Sequence, residues 1–251
     1  MKKIFKNWNL YEILFTIISA IAIVVAFVFT AEKQWLTLII AGLGLVSAIL
    51  TSKGMFYTPI INVIYVVFYV IVSINNKYYG EAIVYGAIIA PIQIFTIFSW
   101  IKNKQKSQTV EINKIHKKEW IYISIVTAMS TVGLYFLLFA LNTSELVVST
   151  FSLVFCALAN YLLLRRSSYY ALAFVINDIF LVTLWLIAAI ESNFSLVLML
   201  INSLVFSVND VYGFFRWRKQ EKQQPKQDNQ NEQQVLQPDE NQVAEKTEQN
   251  I

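Results

Sequence analysis

The sequence holds only one cysteine, Cys156, and one histidine, His116, among its 251 residues. A disulfide within one chain needs two cysteines, and a Cys/His metal site needs several such ligands, so neither can form. Catalysis by a Ser-His-Asp or Cys-His set needs an interior histidine, whereas His116 lies among lysines. A phosphate-binding G-x-x-x-x-G-K-[ST] loop is also missing. We therefore expect no metal, no cofactor and no enzymatic activity.

Charged residues are scarce as well: they form 14% of the chain, while 57% is hydrophobic. A soluble domain carries about 25% charged residues. The charges that are present lie in short connectors and in one tail, and the long apolar runs contain almost none. A bilayer produces this pattern, because a charge at its centre costs roughly 2.5–3.5 kcal/mol. The net charge of +4 follows from basic connectors rather than from a nucleic-acid surface. This pattern predicts a protein embedded in a lipid bilayer, with no nucleic-acid partner.

Eight apolar segments are long enough to cross a bilayer, for which about 20 residues are needed. The first follows Lys2, Lys3 and Lys6, but it is too long for a signal peptide and lacks a clean cleavage site, so we expect it to be retained. The fold class predicted is therefore all-α integral membrane, with spans at 11–29, 35–50, 57–74, 81–101, 120–141, 146–164, 169–190 and 195–217.

The connectors predict an orientation. With the N-terminus inside, the outer connectors hold only Lys33 and Lys77 as basic residues, and most basic residues fall inside, as cytoplasmic loops require. An even number of spans then places the C-terminus inside too. The inner basic residues are Lys2, Lys3, Lys6, Lys53, Lys102, Lys104, Lys106, Lys114, Lys117, Lys118, Arg165, Arg166, Arg216, Arg218 and Lys219.

The spans divide into an extra helix and two similar halves. Helix ends at 91–102 and 208–219 align Phe98 and Trp100 with Phe215 and Trp217, and Gln93 with Asp210. One helix earlier, Asn62 aligns with Asn177. Both triplets begin outside and end inside, which makes them parallel repeats joined by a linker helix, a 3+1+3 plan known in transporters. The alternative is chance similarity between aromatic-rich helix ends, since Trp and Tyr favour the membrane interface.

The predicted organisation is an extra helix at 1–34, a first repeat at 35–101, a basic loop and linker helix at 102–141, a second repeat at 146–218 and a tail at 219–251. The tail contains ten Gln and almost nothing apolar, so we expect it to be disordered and cytoplasmic. A partner-binding tail is the alternative.

Polar side chains within the spans must face the bundle interior, because lipid offers no hydrogen bonds. Spacings of three, four and seven residues place several of them on shared helix faces with aromatic rings. Amides both donate and accept, and rings stack on flat solutes, which suits an aromatic ligand with amide or sugar groups. The alternative for the group is that these side chains only hold helices together. For Asp178 and Asp210 a further alternative is pairing with basic residues such as Arg216. The candidate site residues are Trp185, Asn202, Gln93, Asn177, Tyr65, Asn62, Asp178 and Asn209.

The runs NDVYGFFRW at 209–217 and NDIFLVTLW at 177–185, together with the repeat plan, resemble the Pnu-type bacterial vitamin transporters. The resemblance covers about 35–219. It implies a fold similar to the SWEET sugar transporters, a homotrimer in the bacterial cytoplasmic membrane, and facilitated diffusion followed by trapping through a cytoplasmic kinase.

The best-known members of that family carry nicotinamide riboside, so the resemblance implies this small-molecule substrate. It also implies that Trp185 stacks on the substrate and that Asn202 contacts it, with Gln93, Asn177 and Tyr65 as further contacts. Leu181 stands one turn before Trp185, where some relatives have a second tryptophan. The same architecture carrying thiamine, riboflavin or a deoxynucleoside is the first alternative, and a membrane sensor or enzyme without transport is the second.

Overall fold

The computed structural model describes residues 8–29, 35–75, 78–143, 145–191 and 197–236, and the side chains of 225–236 are not described. Within these ranges eight helices are long and apolar enough to cross a membrane, which confirms the predicted fold class. Regular strands do not occur in these ranges; the only β contacts are two isolated bridges near the loop that follows the fourth helix. The helices are α1 Leu10–Phe29, α2 Trp35–Lys53, α3 Thr58–Asn75, α4 Tyr79–Lys102, α5 Lys117–Ala140, α6 Leu146–Leu164, α7 Tyr170–Glu191 and α8 Val197–Leu236.

The predicted spans agree with these helices to within a few residues, except at the end of α8. This helix continues to Leu236, well past the predicted end at 217. Its Gln224 side chain donates to the Ile112 carbonyl at 3.1 Å and accepts from the Ile112 N–H at 3.0 Å. The first part of the predicted disordered tail is therefore helical, and its start is bonded to the loop between α4 and α5. The rest of that prediction, 237–251, lies outside the described residues.

A change of helix type interrupts α4. Five residues, Tyr85–Ile89, form a π-helical turn between the α-helical parts Tyr79–Val84 and Ala90–Lys102. Pro91 follows at once and cannot donate a backbone hydrogen bond, so the regular bonding pattern breaks in this region. Such π-helical turns are frequent at functional sites. The turn begins at Tyr85, which lines a cavity between the helices.

Two turns in the bundle have the same hydrogen bonds. After α2, Gly54 N–H bonds the Thr51 carbonyl and Met55 N–H bonds the Leu50 carbonyl. After α6, Arg166 N–H bonds the Leu163 carbonyl and Ser167 N–H bonds the Leu162 carbonyl. This is the Schellman pattern, which needs a left-handed residue; Gly54 has φ 68° and Arg166 has φ 57°.

The matching bonds lie 112 residues apart along the chain. With that spacing Asn177 corresponds to Tyr65, and Asn62 corresponds to Phe174. The alignment of Asn62 with Asn177 from sequence is thus three residues, about one helical turn, away from the spacing of the turns.

Two buried tryptophans connect the ends of these helices crosswise. Trp100, near the end of α4, donates its indole N–H to the Leu163 carbonyl of α6 at 3.1 Å. Trp217 of α8 donates to the Thr51 carbonyl of α2 at 3.0 Å. The two rings also pack against each other, with centroids 5.9 Å apart. Trp100 therefore links α4 to α6, and Trp217 links α8 to α2.

We expect Trp217→Phe to lower the free energy of unfolding by about 1–2 kcal/mol, because one buried hydrogen bond and part of a packed ring are lost. Thermal unfolding of the purified protein in detergent measures the change. Phe215 is 67% exposed on the same helix, so Phe215→Leu serves as the control and should change stability little. Equal stability of Trp217→Phe and the parent protein would contradict a structural role for the indole bond.

A buried group of charges joins α1 to the rest of the bundle. Glu12 is 3% exposed and forms ion pairs with Lys53, whose Nζ lies 2.8 Å away, and with Arg216. The Tyr212 hydroxyl also donates to Glu12 at 3.0 Å. The start of α1, the end of α2 and the basic segment of α8 thus meet at one end of the bundle, which we call the basic end.

Candidate substrate site

A cavity of about 130 Å³ lies between helices α2, α3, α4, α6, α7 and α8. Its wall includes seven of the eight residues singled out from sequence: Asn62, Tyr65, Gln93, Asn177, Asp178, Trp185 and Asn202. A space of this size with polar walls can hold several water molecules. A purely structural role would require each buried polar side chain to point at its own neighbouring helix. Several of them instead share one cavity wall.

The end of the cavity that lies away from the basic end is formed by Trp185 and Asn202. Trp185 is six residues before the end of α7 and Asn202 is five after the start of α8, so they lie at similar depth. Trp185 is 5% exposed, and Tyr78 meets it edge-on at 6.1 Å between ring centroids. Partial burial raises the pKa of the Tyr78 phenol. Asn202 is 6% exposed, and its Oδ1 accepts no hydrogen bond from the described residues.

Three tyrosines cover one side of the cavity. Tyr65 stacks on Tyr69 at 5.7 Å, and Tyr69 packs against Tyr85 at 4.2 Å. The Tyr69 hydroxyl donates to Glu81 at the start of α4. Tyr85 faces the cavity from the π-helical turn, and Cys156 donates its S–H to the Tyr85 oxygen at 3.5 Å. These rings provide flat apolar surface close to Trp185.

Along one side of the cavity, hydrogen bonds connect polar side chains so that each group donates to the next. Ser47 donates to Asn62, Asn62 donates to Gln93 at 3.2 Å, and Gln93 donates to Asn160. Asn160 in turn donates to the Cys156 carbonyl at 2.8 Å. This chain runs from α2 through α3 and α4 to α6. Asn62 and Gln93 therefore hold helices together and also face the cavity, so the two interpretations of these residues are compatible.

Asparagine is followed by aspartate on both α7 and α8, and both aspartates line the cavity. Asn177 accepts from Ser152 at 3.0 Å and donates to Asp178 at 3.4 Å. Asn209 donates to the Ala48 carbonyl at 3.1 Å and to Asp210 at 3.2 Å. In each pair the asparagine amide fixes the position of the carboxylate that follows it.

Asn209 does not line the cavity, unlike the prediction from sequence. Its amide group is used between α8 and α2 and on Asp210, because the helix face that carries Asn209 turns toward α2. Asp210, which was not among the candidates, lines the cavity instead. The alternative in which Asp210 pairs with Arg216 is wrong, since Arg216 pairs with Glu12.

Further cavity residues were left out of the candidates. Asp210 lies eight residues after Asn202, two turns along one helix face, and this spacing is the signal that could have identified it. Asn160 and Tyr85 gave a weaker signal, because a single polar residue on an apolar helix does not show which neighbour it meets. Besides the seven candidates, the cavity is lined by Ser47, Tyr69, Tyr85, Cys156, Asn160 and Asp210, among others.

Comparison with known proteins agrees with this architecture. Residues 34–219 match the family model described as nicotinamide mononucleotide transporter. The chain belongs to this family. It is therefore a membrane transporter of a small molecule, as the sequence predicted, and not an enzyme.

One relative is the nicotinamide riboside transporter PnuC of Neisseria mucosa, 26% identical over 230 residues, which cover 87% of this chain and 84% of that protein. A solved structure, the crystal structure of the vitamin B3 transporter PnuC, superposes with a TM-score of 0.75 at 21% identity. The match covers 88% of this chain and 95% of the other. It shows that this chain shares the fold of that transporter.

Proposed function

We propose that this chain is a uniporter for nicotinamide riboside in a bacterial cytoplasmic membrane. The observation that carries the proposal is the composition of the cavity wall. It combines a tryptophan and three tyrosines with amides and two carboxylates, and among the described residues that line it there is no lysine or arginine. Nicotinamide riboside has a positively charged aromatic ring, a carboxamide and a ribose. Rings attract such a cation, and amides bond the carboxamide.

The same wall favours the riboside over the mononucleotide. A phosphate group brings a charge of about −1.5 to −2 at neutral pH. On the described wall of the cavity no lysine or arginine offsets this charge, and burying a charge without a partner is costly. A substrate phosphorylated inside the cell would then not leave by the same route. We therefore include trapping by a cytoplasmic kinase in the proposal, as the resemblance to Pnu-type transporters implies.

We propose that the basic end faces the cytoplasm, so that both termini are cytoplasmic. Lys53, Arg165 and Arg216 lie at this end of the helices, which fits the positive-inside rule. We also propose that α2–α4 and α6–α8 are parallel repeats that rock against each other around the cavity, with α5 as linker and α1 as an addition. The paired Schellman turns and the crossed tryptophan bonds support this arrangement. A homotrimer completes the proposal and rests on the family resemblance.

Transport by purified protein in liposomes tests the proposal. Labelled nicotinamide riboside should equilibrate across the membrane without an ion gradient, and a protonophore should leave the rate unchanged. The mononucleotide should compete at least about tenfold less well than the riboside, which corresponds to ~1.4 kcal/mol of binding free energy. Thiamine, riboflavin and deoxynucleosides are included as competitors.

Liposomes without protein provide the background rate. Loss of transport on adding the protonophore would contradict uniport. Equal competition by the mononucleotide would contradict the choice of the riboside, and stronger competition by thiamine, riboflavin or a deoxynucleoside would reassign the substrate within the same architecture.

A further inference from the structure

The loop between α4 and α5 lies beneath the basic end of the cavity. Two fully buried rings, Trp100 and Trp217, bond backbone carbonyls of residues that line the cavity at this end. Val110 and Ile112 of the loop are 4% and 6% exposed and pack in the same apolar cluster as these rings. A solute that leaves the cavity at the basic end must therefore pass both the tryptophans and this loop.

The same loop bonds matching carbonyls in the two Schellman turns. Val110 donates its backbone N–H to the Gly54 carbonyl at 2.8 Å, and Asn113 donates its backbone N–H to the Arg166 carbonyl at 3.0 Å. Gly54 and Arg166 are the left-handed residues of the turns after α2 and α6. Residues 110–113, which we call the crossing segment, thus connect the same point of both proposed halves.

The crossing segment limits how far the two turns can move apart. Three residues of fully extended chain span at most about 10–11 Å. While both ends of the segment stay bonded, the turns cannot separate beyond this length. Opening of the cavity at the basic end requires the halves to separate there, so the bonds on one side must break.

The bonds to the second half rely on side chains near the surface. The Arg166 guanidinium donates to the Glu111 carbonyl at 3.1 Å, in an exposed position. Gln224 on the extension of α8 bonds both backbone groups of Ile112, in a partly buried position. Water can replace partners at such places, which makes these bonds less costly to break than buried ones.

The bonds to the first half are formed by the backbone. Phe56 donates its N–H to the Gln108 carbonyl at 3.1 Å, and Met55 and Thr109 form an isolated antiparallel bridge. With the Val110 bond to Gly54, these contacts join the loop to the turn after α2. Residues 114–116 have no regular structure and connect the segment to α5. The loop is therefore held on the first half and is released from the second.

We propose that residues 110–113 form a latch that holds the cavity closed at the basic end, and that opening there breaks their bonds to Arg166 and Gln224. This inference rests on the proposed rocking of the two halves and adds the contact that must break. It also gives a function to the helical extension of α8, since Gln224 lies on it.

Access to Cys156 tests the latch. This residue is the only cysteine in the chain and lines the cavity, so its reaction with a charged, membrane-impermeant methanethiosulfonate reports opening. The rate is measured in inside-out vesicles, where the reagent meets the basic end, and in right-side-out vesicles. Gln224→Ala should speed labelling about tenfold in inside-out vesicles, because the bonds it removes favour the closed state. Right-side-out vesicles should show no increase.

A second variant and a control accompany this test. Arg166→Gly removes the guanidinium bond to Glu111 and keeps the left-handed turn, which glycine adopts without strain. It should also speed labelling in inside-out vesicles, by about threefold. Glu221 lies one turn before Gln224 and bonds Ser168 between α6 and α7, within the second half. Glu221→Ala should therefore leave both labelling rates unchanged.

Unchanged labelling in both Gln224→Ala and Arg166→Gly would overturn the latch. Equal acceleration by Glu221→Ala would overturn it too, because the effect would then be a general loosening of this end. Faster labelling only in right-side-out vesicles would support the latch and reverse the proposed orientation. Faster labelling as expected, with no riboside transport by the parent protein in liposomes, would support the latch and overturn the proposed substrate.

Discussion

Replacing Trp185 with alanine is expected to weaken binding of nicotinamide riboside about a hundredfold. Stacking of a base on an aromatic side chain contributes roughly 1–3 kcal/mol. A cationic ring in a desolvated site adds about 2 kcal/mol or more. Trp185 is 5% exposed and lies on the cavity wall, so both contributions apply there. At the lower ends of these ranges they amount to ~3 kcal/mol, and each 1.4 kcal/mol corresponds to a tenfold change.

Calorimetry on the purified protein measures this effect. Trp185→Phe keeps an aromatic face and should lose less affinity than Trp185→Ala. Trp35 is 66% exposed at the start of α2 and does not line the cavity, so Trp35→Ala is the matched control with expected affinity close to that of the parent. Unchanged riboside binding in Trp185→Ala would remove Trp185 from the site, whatever the transport rate of the variant.

Glu12→Ala is expected to destabilise the protein by about 3–5 kcal/mol, the cost of removing one partner from a buried ion pair. The carboxylate holds Lys53 at 2.8 Å and also pairs with Arg216. Their side chains are 5% and 20% exposed, so water cannot replace the lost partner fully. The Tyr212 hydroxyl would lose its acceptor as well. Thermal unfolding in detergent, followed by tryptophan fluorescence, measures the change.

Two variants make this test specific. Glu12→Gln keeps an acceptor oxygen and should cost less than Glu12→Ala. Glu191 is exposed at the end of α7, so Glu191→Ala should change stability by less than about 0.5 kcal/mol. If Glu12→Ala were no more harmful than Glu191→Ala, the charge group would not hold α1 in place.

Helix positions were predictable because the signal is local. A bilayer requires about 20 apolar residues in succession, and α6 begins and ends where its apolar run does. The end of α8 was predicted too early, since its continuation is polar and its bonds go to Ile112, more than a hundred residues away. Composition alone gives no sign of such a bond. The same limit explains why Glu12 was overlooked: its partners are distant in sequence.

The repeat alignment shows a second limit. The aromatic strings aligned Trp100 with Trp217 by their position at the helix ends, and both indoles donate to a backbone carbonyl of another helix. One helix earlier, a shared asparagine suggested that Asn62 aligns with Asn177. The spacing of the two Schellman turns instead aligns Tyr65 with Asn177. A single matching residue carries too little information to set an alignment when the surrounding residues are all apolar.

The candidate site was predictable as a group but not residue by residue. Polar side chains in a span must turn inward, and seven of the eight candidates line the cavity. Whether an inward side chain meets the cavity or a neighbouring helix depends on the rotation of that helix about its axis. Asn209 and Asp210 are adjacent in sequence, yet the first bonds α2 and the second lines the cavity.

The sequence by itself determined the membrane class, the number of spans and the set of interior polar groups, because hydropathy and length act along one segment at a time. Only the tertiary structure decided which of those groups share a cavity and which acids pair with basic side chains. These depend on distances between helices far apart in the chain, and sequence periodicity describes each helix only relative to its own axis.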